Sequence, residues 1–114
     1  MNAQLTAYAS LALAIVAEVC GSTFLVRSAG FTKLAPTLAT VGLYIVAFFL
    51  LSQVLKVMPL GLTYAIWAGL GIVLTAVVGL VVFKQTMDGW AMIGIVLIVS
   101  GVLVMNLLSQ TTSH

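Results

Sequence analysis

The chain has 114 residues, of which 63% are hydrophobic and 5% charged. Soluble domains carry about 25% charged residues, so this chain cannot cover a water-facing surface and must take lipid as its solvent. Four basic and two acidic residues give a formal charge of +2, with no basic stripe to neutralise a phosphate backbone, which excludes a nucleic-acid partner.

Crossing the hydrocarbon core as a helix takes about 20 apolar residues. Four stretches meet this, at about 5–26, 34–55, 59–83 and 90–108, and they predict an all-α, four-transmembrane-helix bundle forming a single domain over residues 1–114. The first stretch is too long for a signal-peptide core, and Met1–Ser10 contains no Lys or Arg, so it is expected to be retained as a span. Its Cys20 has no second cysteine for a disulfide or a thiolate zinc site and reads as a packing residue. Arg27, Ser28, Gly30 and Lys33 interrupt the first junction, and Lys56 and Pro59 mark the second, with Pro59 suited to a first helical turn. Lys84, Asp88 and Gly89 mark the third, before Trp90, an interfacial anchor. The tail Ser109–His114 is polar, and His114 reads as a solvated tail residue rather than a metal ligand.

Short loops make neighbouring helices antiparallel, and nothing alternates with period two as a membrane barrel requires. The two outer loops share one side and carry Arg27, Lys33 and Lys84, against Lys56 in the middle loop. Positive residues favour the cytoplasm. Three against one leans toward cytoplasmic outer loops and is small enough to admit both orientations.

Glu18 is the one ionisable side chain well inside a span. Acidic residues at a helix centre cost about 2.5–3.5 kcal/mol on insertion scales, and those that occur mark ion or substrate handling. Lipid disfavours the charged form, so such an acid can hold a proton or, once ionised, attract a cation. Two occupants that exclude one another are the minimal chemistry of exchange. On a helix the face of Glu18 includes Leu11, Ala14, Ile15, Gly21, Ser22 and Leu25, and the small members admit another helix or a ligand.

Tyr64, Trp67 and Gly71 fall at steps of three and four in the third span and share a face. Aromatic rings together with a carboxylate suit an organic cation, through cation–π and apolar contact. Tyr44, mid-span in the second helix, divides evenly between that cavity and core packing. Gly69-Leu70-Gly71 lacks the third glycine and strand of a dinucleotide fingerprint and reads as a bend in a helix. Gly94, Ile98 and Gly101 share a face of the fourth helix and predict a close-packing seam for oligomerisation.

Three segments carry a family resemblance: Ala17-Glu18-Val19-Cys20-Gly21-Ser22, Ala29-Gly30-Phe31-Thr32, and Pro59-Leu60-Gly61-Leu62-Thr63-Tyr64-Ala65-Ile66-Trp67-Ala68-Gly69-Leu70-Gly71. Together with the four-span layout, they resemble the small multidrug resistance family over essentially the whole chain. The resemblance implies a proton-coupled antiporter in the cytoplasmic (inner) membrane of a bacterium, exporting lipophilic and quaternary ammonium cations as an antiparallel homodimer. Position by position, it implies Glu18 as the shared proton and substrate site. It implies Tyr44, Tyr64 and Trp67 lining the pocket, to which the Glu18 face adds Ala14, Ile15 and Ser22, with a helix kink at Gly69 and Gly71 and a dimer seam at Gly94, Ile98 and Gly101. The family's usual Lys eight positions after its glutamate is Val26 here, with Arg27 next, and the acidic residue before its Gly-Phe pair is Ala29. A guanidinium-exporting sister group carries Trp three positions after the glutamate, where this chain has Gly21, which places the chain with the multidrug branch.

The expected cycle exchanges protons on Glu18 for a cation. A pair of carboxylates in one site titrates as a coupled unit. Four helices alone scarcely enclose a path, which argues for an oligomer. Without a phosphate-binding loop the energy source is the proton gradient, and no cofactor, metal or enzymatic activity is expected. The alternatives are a small-cation exporter of the guanidinium or polyamine type and a proton-carrying rotor-type subunit. The Tyr64/Trp67 face speaks against the rotor, since a pure proton carrier does not use it.

Overall fold

The computed structural model describes residues 2–108; the tail reading, His114 included, lies outside them. Four helices follow in order: α1 Ala3–Arg27, α2 Leu34–Val54, α3 Leu60–Val81 and α4 Gly89–Leu107. All four are long and apolar enough to cross a membrane, and no strand occurs among the described residues. The predicted spans match within two residues at each end, the ordinary uncertainty of a frayed helix end. Pro59 stands one place earlier than expected. It is the N-cap of α3, with extended backbone (φ −61°, ψ 147°).

The helix starts have local causes. The Asn2 side chain accepts from the Leu5 N–H at 2.7 Å, and Asp88 Oδ1 accepts from the Ala91 N–H at 2.9 Å, each satisfying an amide that the first turn leaves open. Pro36 sits in the first turn of α2, where a missing N–H deprives no helical bond. The α1–α2 connection needs three successive left-handed residues, Ala29 (φ 50°), Gly30 (φ 71°) and Phe31 (φ 66°). Ser28, fully buried, braces it: its hydroxyl donates to the Leu25 carbonyl at 2.7 Å and accepts from the Phe31 N–H at 3.1 Å.

By contacts the chain divides into two compact units, Met1–Val57 and Met58–His114, each a helical hairpin. In the first, α1 and α2 pack along their lengths through two matched seams with a seven-residue step. Ala7, Ala14 and Gly21 are buried on α1; Thr40, Ala47 and Val54 are buried on α2. Thr40 bonds to the Gly21 carbonyl. That antiparallel register brings Ala14 to Ala47 and Ala7 to Val54, and the last two line a common cleft. Small residues at a seven-residue step let two helices approach closely, the form of packing available where lipid removes the hydrophobic drive.

In the second unit, α3 and α4 touch over a shorter stretch. Gly69 of α3 is buried under Val102 of α4, so closely that a Cβ there would lie 2.8 Å from Val102 Cγ2. The α3–α4 connection folds back on the end of α3. The Gln85 N–H donates to the Gly79 carbonyl at 2.8 Å, and the Gln85 side-chain oxygen occupies the space a Gly79 Cβ would need. No side chain of α4 is fully buried.

Candidate functional site

Glu18 lies four turns into α1, half-buried. Its one-turn neighbour Ser22 donates from Oγ to Glu18 Oε1 at 3.5 Å, the pairing expected of residues four apart on a helix. Ser22 Oγ also lies 2.8 Å from the Tyr44 hydroxyl on α2. With an ionised acid, the orientation that satisfies every group runs Tyr44 O–H to Ser22 Oγ and Ser22 O–H to Glu18. Two helices thereby converge on one carboxyl, and Glu18 has no basic partner among the described residues.

Tyr44 reaches Ser22 because Gly21 has no side chain. A Cβ built at Gly21 would lie 2.7 Å from Tyr44 Cε1 and 2.8 Å from Cδ1, well inside van der Waals contact. The small-residue face of Glu18 is therefore used in part to seat an aromatic ring. Ala14 and Ile15, one turn before Glu18, have no exposed surface.

Tyr64 and Trp67 share a face of α3. Tyr64 is exposed and Trp67 half-buried, and the Trp67 ring reaches within 3.9 Å of where a Gly71 Cβ would stand. Helix α3 is unbroken through Gly69 and Gly71, and Gly69 provides the close approach of α4. Gly94, Ile98 and Gly101 lie along α4 with nothing within 4 Å of a Cβ built at either glycine; Ile98 and Gly101 are exposed. Trp90, at the start of α4, is 81% exposed, as an interfacial ring would be. Two open clefts occur elsewhere, one between the start of α1 and the end of α2, the other beside Gly79 and Gln85; Glu18 lines neither.

One residue of this neighbourhood escapes the sequence reading. Thr40 is 2% exposed, and its hydroxyl donates toward the Gly21 carbonyl at 3.1 Å and toward Pro36 at 3.0 Å. The signal that could have found it is the seven-residue step Thr40, Ala47, Val54, matching Ala7, Ala14, Gly21 on α1.

Four apolar helices in two hairpins, with a carboxyl held mid-span by a serine hydroxyl, define a small multi-pass protein of the helical membrane class. The Small Multidrug Resistance protein family model matches residues 6–98, and the chain belongs to that family. It is 47% identical over 110 residues to the multidrug transporter PA4990 of Pseudomonas aeruginosa, covering 96% of this chain and 100% of that one. It is similar to the multidrug transporter EmrE of Escherichia coli, 47% identical over 94% of this chain and 97% of that one. The quaternary ammonium compound-resistance protein QacE of Escherichia coli is 46% identical, with 91% and 94% covered. The chain is thus a multi-pass protein of the bacterial inner membrane, in a family of transporters.

Proposed function

We propose that this protein exports lipophilic and quaternary ammonium cations by proton-coupled antiport, working as an antiparallel homodimer whose protomers each contribute one four-helix domain. The observation that carries the reading is Glu18: a carboxyl inside a span, held by a serine hydroxyl and unpaired with any base among the described residues. A salt-bridged acid would be committed; this one is free to exchange a proton for a cation. The names of the relatives, multidrug transporter and quaternary ammonium compound-resistance protein, support the substrate class.

The ionised carboxylates attract the cation, and aromatic faces complement its apolar bulk. Ser22 and Tyr44 orient the acid. Tyr64 and Trp67 are assigned cation contact through the Tyr-Ala-Ile-Trp match in α3, while Ala14 and Ile15, fully buried, back the site from behind. Bending of α3 at Gly69 and Gly71 would serve the alternation of access. On the outer side protons displace the cation; on the inner side their loss restores the charge that binds the next one. The open Gly94, Ile98, Gly101 face of α4 is the seam for the second copy.

The test is equilibrium binding of a tetraalkylammonium ion to purified protein as a function of pH, with Glu18→Gln alongside. Affinity is expected to fall on acidification in the wild type and to be lost in the variant. Equal, pH-independent binding by both proteins overturns the assignment.

A further inference from the structure

The hydroxyl of Thr40 has one proton and two acceptors on different helices. Threonines within helices ordinarily return this proton to the carbonyl four residues back, as Thr6, Thr23, Thr37 and Thr63 do here. Thr40 makes that bond to Pro36 and, alone among these, also reaches the backbone of a neighbouring helix. Shared bonds of this kind are three-centred. The acceptor on α1 is the Gly21 carbonyl, which lies in the α1 ladder and has a second lone pair to offer.

Gly21 and Ser22 are adjacent on α1, while Thr40 and Tyr44 stand one turn apart on α2. The structure therefore joins the helices by two polar links side by side: Thr40 to Gly21, and Tyr44 to Ser22. The second link leads on to Glu18 through a bond of 3.5 Å, already at the limit of hydrogen-bonding distance. Ser22 and Glu18 ride on the same helix, so a slip between the helices acts on the Tyr44–Ser22 bond of 2.8 Å and, by turning the shared Ser22 hydroxyl, on its hold on Glu18.

We propose that Thr40 is a positioning residue. Its buried hydroxyl clamps α1 to α2 in the register that lets Ser22 hold the Glu18 carboxylate and Tyr44 together, and so sets the cation affinity of a site it does not touch. This rests on the reading of Glu18 as the cation site, and the experiment separates the two. Tetrapropylammonium binding is measured at one alkaline pH for the wild type, Glu18→Gln, Thr40→Val and Thr40→Ser. Valine keeps the shape and removes the hydroxyl; serine keeps the hydroxyl and removes the methyl. In parallel the Gly21 carbonyl is observed by nuclear magnetic resonance. Gly21-Ser22 is the only Gly-Ser step in the sequence, so 13C-carbonyl glycine combined with 15N-serine selects that one signal.

Thr40→Val is expected to bind roughly three- to tenfold more weakly, the scale of one hydrogen bond, and to shift the Gly21 carbonyl signal. Thr40→Ser is expected to stay within about twofold of the wild type and leave the signal in place. Wild-type affinity in Thr40→Val, equal loss in both Thr40 variants, or an unmoved carbonyl signal in Thr40→Val overturns the clamp. Equal binding by the wild type and Glu18→Gln instead overturns the site, and the carbonyl signal then still decides whether the clamp exists. Should Thr40→Val lose its helical circular dichroism, Thr40→Ala takes its place with the same two readouts.

Discussion

The ring of Tyr44 lies against the backbone of Gly21, leaving no room for even one carbon: an added Cβ would stand 2.7 Å from Tyr44 Cε1. Gly21→Ala must therefore displace the ring and its hydroxyl from Ser22. In an isolated helix the same change favours the helical state by about 1 kcal/mol, so the two effects oppose one another. Helical content is expected to hold, while tetraalkylammonium affinity falls by roughly tenfold, about 1.4 kcal/mol. Circular dichroism and a binding isotherm on the same sample check both halves.

The proposed exchange at Glu18 fixes the sign of the expected pH dependence. If cation binding needs the ionised acid, as proposed, affinity is expected to decline as pH falls, by about tenfold per unit for each proton that binding must expel. In the proposed dimer, two coupled carboxylates would make the limiting slope steeper than one. Glu18→Asp is expected to keep the dependence and Glu18→Gln to abolish it, as measured by isothermal titration across the acid range.

Ala29 holds φ 50° between Ser28 and Gly30. A left-handed conformation costs a side-chain-bearing residue about 1–2 kcal/mol, and glycine relieves it at some expense in unfolded-chain entropy. Ala29→Gly is expected to stabilise the protein by about 0.5 kcal/mol, and Gly30→Ala, at φ 71°, to destabilise it by about 1 kcal/mol. Denaturant unfolding in mixed micelles, followed by tryptophan fluorescence, reports both.

Gly94 and Gly101 have no atoms within 4 Å of an added Cβ, so each leaves room for a Cβ beside its own hairpin. Gly101→Leu is expected to leave the hairpins folded while blocking a seam used by a second copy. Single-molecule photobleaching in liposomes would then show one step per spot where the wild type shows two. Retained two-step bleaching would remove α4 from the proposed dimer contact.

The spans were legible because hydropathy reports the solvent directly, and Arg27, Lys33, Lys56, Lys84 and Asp88 punctuate the junctions. That Ser22 shares a face with Glu18 was legible too, since four residues on one helix is a fixed geometry; that its hydroxyl bonds the acid was not. Tyr44 could only be divided between cavity and core, because its place depends on how α1 and α2 slide past one another. The same ignorance hid Thr40. A hydroxyl bonded to a neighbouring backbone leaves no mark in composition, and its meaning appears once Gly21 is known to stand opposite. The left-handed run from Ala29 to Phe31 was equally hidden, since two of its three residues are types that seldom adopt that conformation.

Among the described residues, α4 commits no side chain to full burial within its own protomer. In water such a helix would drive collapse or aggregation. In a bilayer its surroundings are as oily as any partner, so leaving it bare carries little penalty, and any mate must compete with acyl chains on shape alone. Complexes built on that helix would obey mass action in two dimensions, loosening as lipid is added and re-forming as it is withdrawn, and co-expressed variants would trade partners within the same membrane.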